Sequence, residues 1–275
     1  MEADMTNEVN HKSLFFYIKI YFRIVAQDIK SKMSYRADFF ISTFGIIFTN
    51  VLGFLAFWIV FQNFPSIAGW NFYEILFMYG FSLIALTPNQ CMFDNNWSLR
   101  TYVYDGSFIK YYFRPVNLYF YYMSEVFDIK GLGQCAFGIV MLCISWSKLA
   151  IPVNAVNIIG LVIGLASASL FIIAIMNVAA ASCFFIINSG YVMVTTFKFM
   201  DYIRYPAVIY NTVFRFLFTF VIPIAFGAYY PTVFLLRPQS VPLLTYLSPV
   251  LAVVYFYFSY KLWMIGARKY NGTGN

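Results

Sequence analysis

The densest grouping of polar chemistry in the chain lies between Trp97 and Arg114, where Arg100, Tyr104, Asp105, Gly106, Lys110 and Arg114 alternate with the apolar Trp97, Leu99 and Phe108. Charge mixed with apolar anchors suits a short helix that docks into a groove on a partner chain. It equally suits an interfacial loop held by aromatic anchors. Groups for covalent or proton chemistry are scarce. The one histidine, His11, precedes the first helical stretch, so a histidine metal site or a Ser/His/Asp triad lacks its parts. No GxxxxGK[ST] occurs, which excludes nucleotide binding by a P-loop. Cys91, Cys135, Cys143 and Cys183 sit in apolar segments without a CxxC pair and read as small buried hydrophobes, with neither a disulfide framework nor a metal site. Asp38, Glu74, Asp94, Glu125 and Asp128 all fall at the ends of apolar segments, where they do not form an intramembrane proton or sodium relay. A pump with this inventory draws its energy from another chain. The sequons at Asn96 and Asn271 read as chance matches.

Lipid must hold these residues in place. Of the 275 residues, 61% are hydrophobic and 11% charged, against roughly 25% charged in a soluble domain. Charge-free stretches cover 39–73, 75–93, 131–147, 149–197, 216–236 and 238–260, most of them near or above the ~20 residues a helix needs to cross hydrocarbon. A bilayer requires every backbone group to be satisfied internally, so these segments should be helices. Strands of a barrel would alternate apolar and polar residues over ~10 positions, whereas Ile46–Val60 and Ile158–Ile175 are apolar or small almost all round. The 33 Phe and 23 Tyr fit lipid-facing surface and interfacial belts. Base stacking is the poorer reading, and nucleic acid is not expected despite the net charge of +7.

The expected fold is an all-α membrane protein in a single transmembrane domain over residues 1–275, with six spans near 37–61, 72–93, 131–147, 155–188, 211–229 and 243–264. Ahead of them, Lys19, Arg23, Gln27 and Lys30 make one polar stripe on an otherwise apolar stretch, which predicts an N-terminal interfacial amphipathic helix over 13–36. A tilted start of the first span is the alternative, and no secretory signal is visible. Residues 149–197 could form one long helix or two spans. With one span and a cytoplasmic N-terminus, 16 of the 18 basic residues lie inside and only Lys148 and Arg237 outside; the positive-inside rule prefers that arrangement, which also leaves the C-terminus cytoplasmic. Helix over 155–188 would then reach ~51 Å, more than a ~30 Å core requires. Ser189–Gly190 is the expected break, after which 191–205 returns along the inner surface. Pro223, Pro231, Pro238 and Pro242 punctuate the apolar stretch 222–242, which predicts short re-entrant helices in the outer leaflet before the last span, or else a long loop. No internal repeat is evident, which speaks against repeat-built secondary transporters.

The chain resembles the membrane subunits of type 2 ABC exporters, in particular the uncharacterised ABC-2-like permease branch. The resemblance is carried by Tyr35-Arg-Ala-Asp-Phe39, Asp105-Gly-Ser-Phe-Ile-Lys-Tyr-Tyr-Phe-Arg-Pro115, Arg204-Tyr-Pro-Ala-Val-Ile-Tyr210 and Ile222-Pro-Ile-Ala-Phe-Gly-Ala-Tyr-Tyr-Pro231, in order along most of the chain. It implies a cytoplasmic coupling helix between the second and third spans, which assigns ATPase coupling to Arg100, Tyr104, Asp105, Gly106, Lys110 and Arg114. It also implies two cytoplasmic ATPase subunits carrying ATP and Mg, a second permease subunit identical or related, and a bacterial cell (plasma) membrane around them. The chain itself would hold no cofactor and would not be an enzyme.

Polar groups within the expected spans are few. Asn50, Ser82, Ser167, Asn177 and Thr219, with Ser169 and Thr212, are the candidates to line a path for cargo, or to join helices by hydrogen bonds instead. A path so poor in polar groups points to amphipathic or apolar cargo: a drug, peptide or lipid-like molecule. A polysaccharide path rich in Tyr and Trp remains open. The competing functional readings are an ATP-independent channel or secondary carrier, and a membrane-embedded lipid enzyme, for which no cluster of acids, histidines or metal ligands is present.

Overall fold

The computed structural model describes residues 13–32, 36–186 and 189–270, less the side chains of 36–40, 42 and 43. His11, Tyr35, Asn271 and the side chain of Asp38 fall outside the described residues. Within these bounds the chain is built from α1 (Leu14–Lys32), α2 (Arg36–Asn63), α3 (Phe72–Met92), α4 (Leu99–Tyr104), α5 (Leu118–Ser124) and α6 (Lys130–Lys148). It continues through α7 (Ala155–Ala181), α8 (Gly190–Phe199), α9 (Thr212–Phe216), α10 (Tyr229–Leu236) and α11 (Leu243–Lys269). Between α2 and α3, β1 (Ser66–Ile67) pairs with β2 (Trp70–Asn71) in a hairpin. Its two turn residues, Ala68 and Gly69, both have positive φ, which matches the twist of the strands they join.

Asparagine starts four of the helices. Asn71, Asn117, Asn154 and Asn211 each accept a hydrogen bond from the backbone N–H three residues on, at α3, α5, α7 and α9, satisfying donors that the first helical turn leaves without partners. At α3 the cap is reciprocal, because Glu74 Oε2 accepts from the Asn71 N–H at 2.8 Å. Arg237 joins the same carboxylate at 3.2 Å and lies over the Trp70 ring at 4.0 Å, tying the start of α3 to the end of α10.

Two glycines decide how the inner helices meet. A Cβ on Gly80 would lie 2.8 Å from the Gly138 carbonyl oxygen, and one on Gly138 would lie 2.9 Å from the Gly80 oxygen, so α3 and α6 touch backbone to backbone. Water-driven burial does not operate inside lipid, and helices there gain by close van der Waals approach instead. α7 runs through the centre: every residue from Phe171 to Asn177 is buried, with α3, α10 and α11 packed around the helix. By contrast α2 and α11 present Phe48, Leu52, Ile59, Val250, Val253 and Phe258 outward, apolar surface that suits lipid or another membrane chain.

The helices give the expected all-α membrane architecture, and among the described residues they reach the length and hydropathy of a span at four of the six expected positions. Among the described residues four are long and apolar enough to cross: Phe44–Asn63, Phe72–Met92, Ala155–Phe184 and Leu243–Lys269. The segment expected as a third span is the 19-residue α6, bounded by Lys130 and Lys148. The expected fifth span, 211–229, is not one helix. α9 passes into a π-helical turn at Leu217–Val221 and stops at Ile222, because Pro223 disfavours helical geometry in the residue before it and lacks a backbone N–H. From there the chain forms a 3-10 turn at Ile224–Gly227 and then α10, with residues 223–233 all buried. The long fourth helix also ends sooner than 188, tightening to a 3-10 turn at Ser182–Phe184 before α8 begins at Gly190.

Candidate functional site

The segment between α3 and α6 folds as a platform with an aromatic base. Phe108 is fully buried, with its ring against Tyr111, Tyr122, Phe184, Trp263 and Tyr270. Leu99 is fully buried too. These two residues therefore hold the segment onto its own chain, and neither is free to act as the exposed apolar anchor expected of it. Arg100, Tyr104, Asp105, Lys110 and Arg114 are exposed on the outer side, joined by Phe113, the most exposed aromatic of the segment, and Ile109. Gly106 makes the bend between α4 and the following turn in the left-handed region, φ 81°. Asp105 closes that bend: its Oδ1 accepts from the Ser107 hydroxyl at 2.6 Å and from the Ser107 N–H at 2.9 Å. The hydroxyl bond is the chief reason that its carboxyl titrates below the usual range. Lys110 lies 3.8 Å from Glu125 and 4.4 Å from the Tyr102 ring centre, and Arg114 lies over Tyr121 at 5.3 Å.

A buried chain of hydrogen bonds ties this platform to the long helices. Asn96 Nδ2 donates to Asn177 Oδ1 on α7 at 2.9 Å, and Asn177 Nδ2 donates to the Tyr119 hydroxyl on α5 at 2.5 Å. Tyr122 OH donates to the Asn95 carbonyl while Asn95 Nδ2 donates to the Tyr122 carbonyl, both at 2.7 Å. Tyr112 OH donates to the Ala267 carbonyl on α11, and Asn117 Nδ2 to Tyr260 OH at 3.2 Å. Because each of these bonds joins residues distant in sequence, the 3-10 turn at Asp94–Trp97, α5, α7 and α11 are held in one register.

Beside the platform, a cavity of about 600 Å³ opens between α2, α3, α6 and the segment after α8. α2 contributes Thr49 and Asn50, α3 contributes Tyr79, Asn89 and Gln90, and Gln134 comes from α6. Asp94, Trp97, Asp201 and Arg204 complete the polar end. Arg204 is engaged by Asp201 at 2.6 Å and sits over the Tyr79 ring at 5.0 Å. Burial pushes the Asp94 carboxyl up to about 6.

Of the seven residues expected to line a path, this cavity gathers only Asn50. Ser82 and Ser167 bond to carbonyls of their own helices, Tyr79 O at 2.7 Å and Gly164 O at 2.9 Å, and Thr219 pairs with Tyr230 OH at 3.2 Å. Asn177 is a joint of the buried network. Among the cavity's other polar residues, Asn89, Gln90 and Gln134 sit near span ends, where a polar side chain looks like an ordinary boundary; the pair Asn89-Gln90 directly after Pro88 is the signal the sequence offers. The four cysteines are free, and Cys143 is exposed on α6 where a buried position was expected.

Residues 47–274 match the family described as ABC-2 family transporter protein. No curated protein matches the chain, and no solved structure does.

Proposed function

This chain belongs to the ABC-2 family of transporter proteins, and from that premise we propose that it is the membrane subunit of an ATP-driven exporter, forming half of the path for its cargo. The observation that carries the reading is the platform of residues 94–125. It offers exposed charge and apolar side chains on a rigid base, and it connects through Asn96 and Asn177 to the central helix. Such a surface suits two cytoplasmic ATPase subunits as the source of force, with ATP and Mg held by them. A second permease subunit, identical or related, would face this one across the membrane.

In this arrangement the platform end faces the cytoplasm. Arg100, Lys110, Arg114, Arg268 and Lys269 lie at that end, whereas Lys148 and Arg237 lie at the hairpin end, an asymmetry that supports the orientation. α1 fits the inner leaflet of a bacterial plasma membrane, since Lys19, Arg23, Gln27 and Lys30 are exposed together with Leu14, Phe15 and Phe22. Re-entrant packing of α10 in the outer half is the corresponding reading of residues 222–242. Nucleotide binding favours one arrangement of the motor, and the permease state that docks better to it becomes populated. Arg100, Tyr104, Asp105, Gly106, Lys110 and Arg114 form the docking surface; Asn50 and the cavity around it receive amphipathic cargo.

The test is to search the neighbouring genes for an ABC ATPase, co-express it with the chain and measure the mass of the purified complex. Two ATPase and two permease subunits are expected. Absence of any associated ATPase, together with transport driven by an ion gradient, would replace this reading with that of an ATP-independent carrier.

A further inference from the structure

One carboxylate of the cavity lacks a counter-ion among the described residues. The formal charges lining the cavity are Asp94, Asp201 and Arg204: two negative and one positive, a net −1. Arg204 is already committed to Asp201, whereas Asp94 forms no ion pair among the described residues. The walls are apolar: Ile46, Leu83 and Leu86 are aliphatic, and the rings of Trp97 and Phe197 meet edge to face at 5.1 Å. Aromatic faces attract organic cations, and a volume of about 600 Å³ is in the range that encloses a drug-sized molecule.

We infer that this cavity binds a lipophilic organic cation, with the charge beside Asp94 and the hydrocarbon against Ile46, Leu83 and Leu86. The inference rests on the transporter reading for its use, since it names the class of cargo, but not for its chemistry. An anion meets the wrong net charge. A wholly apolar ligand leaves Asp94 without a counter-ion.

The experiment is fluorescence anisotropy with the full chain in lipid nanodiscs, without nucleotide or ATPase, against empty nanodiscs. The probes are rhodamine 6G, a xanthene cation, and fluorescein, an anion on the same ring system. Saturable rhodamine 6G binding is expected, weakened by about ten-fold in Asp94→Asn, retained in Asp94→Glu, and absent for fluorescein. No saturable binding to the unaltered chain, equal affinity of Asp94→Asn, or equal binding of fluorescein would each overturn it. Because no motor is present, failure here leaves the exporter reading standing, and loss of ATP-driven transport would leave these binding results standing.

Discussion

Asn96 and Asn177 lie 81 residues apart in sequence and meet through one amide hydrogen bond of 2.9 Å inside the protein. Both are buried, and Asn177 passes the connection on to Tyr119. The two bonds join the platform directly to the central helix. Replacing Asn177 with Leu keeps the volume and strands donors or acceptors on Asn96 and Tyr119 at once. A loss of about 2–4 kcal/mol is expected, from two groups at about 1–2 each, read as a lowered midpoint in thermal unfolding of the purified protein. Ser82→Ala, which removes only a bond within its own helix, should shift the midpoint far less.

The crossing of α3 and α6 depends on the absence of a Cβ. Gly138→Ala places a methyl 2.9 Å from both the Gly80 oxygen and the Leu83 Cβ, a backbone clash that the helices relieve only by separating. The expected cost is about 1–3 kcal/mol. Gly45→Ala meets nothing within 4 Å and should be neutral or slightly stabilising, since alanine is the better helix former. Equal thermal midpoints for the two variants would contradict the packing described.

Glu74 has two separable roles. Glu74→Gln retains an acceptor for the Asn71 N–H while removing the charge that Arg237 meets, and Arg237→Ala removes the ion pair, its bond to the Gly69 carbonyl and the stack on Trp70. The pair is only partly exposed, so about 1–2 kcal/mol is expected for Arg237→Ala, discounted from the fully buried case. Glu74→Gln should cost less. The order of the two midpoints is the check.

The raised carboxyl pKa of Asp94 makes the cation site sensitive to pH. Desolvation is the main cause and Asp128 adds to it, while Lys32 and Lys130 act in the opposite direction; Asp201 and Arg204 face it across the cavity as an internal pair. The folded chain keeps this proton to higher pH than the unfolded one, so the group's unfavourable effect on stability grows between about pH 4 and pH 6 and is constant above. Cation binding needs the ionised form and is therefore lost as pH falls through about 6. Rhodamine 6G affinity at pH 5 should be about ten-fold weaker than at pH 7.5, with the dependence gone in Asp94→Asn.

Much of this was legible from residue types alone. Long charge-free runs require helices in lipid, Pro223 and its successors announce broken backbone, and the mixture of charge and aromatics from Trp97 to Arg114 marks an unusual loop. What periodicity cannot reveal is which faces meet. Gly80 and Gly138 are ordinary glycines until their helices cross, and Asn177 looks like a polar residue in a pathway until Asn96 is found opposite it. The break at Ile222 lay in plain view, yet hydrophobicity continuing past Pro223 outweighed it. Asn89, Asp94 and Gln134 form one site only because α6 begins beside the end of α3.

The central claim is that exposed residues of the platform receive work from an ATPase. It is tested most directly by ATP-driven transport of the reconstituted complex carrying Asp105→Ala or Arg114→Ala, with membrane insertion and complex assembly measured on the same samples. Loss of the Asp105 bonds to Ser107 opens the bend at Gly106, and loss of Arg114 removes a surface cation, so each should lower transport by about ten-fold, the factor of 1.4 kcal/mol in coupling, with insertion unchanged. Transport at the unaltered rate by both variants, or transport that continues without ATP, would contradict the account.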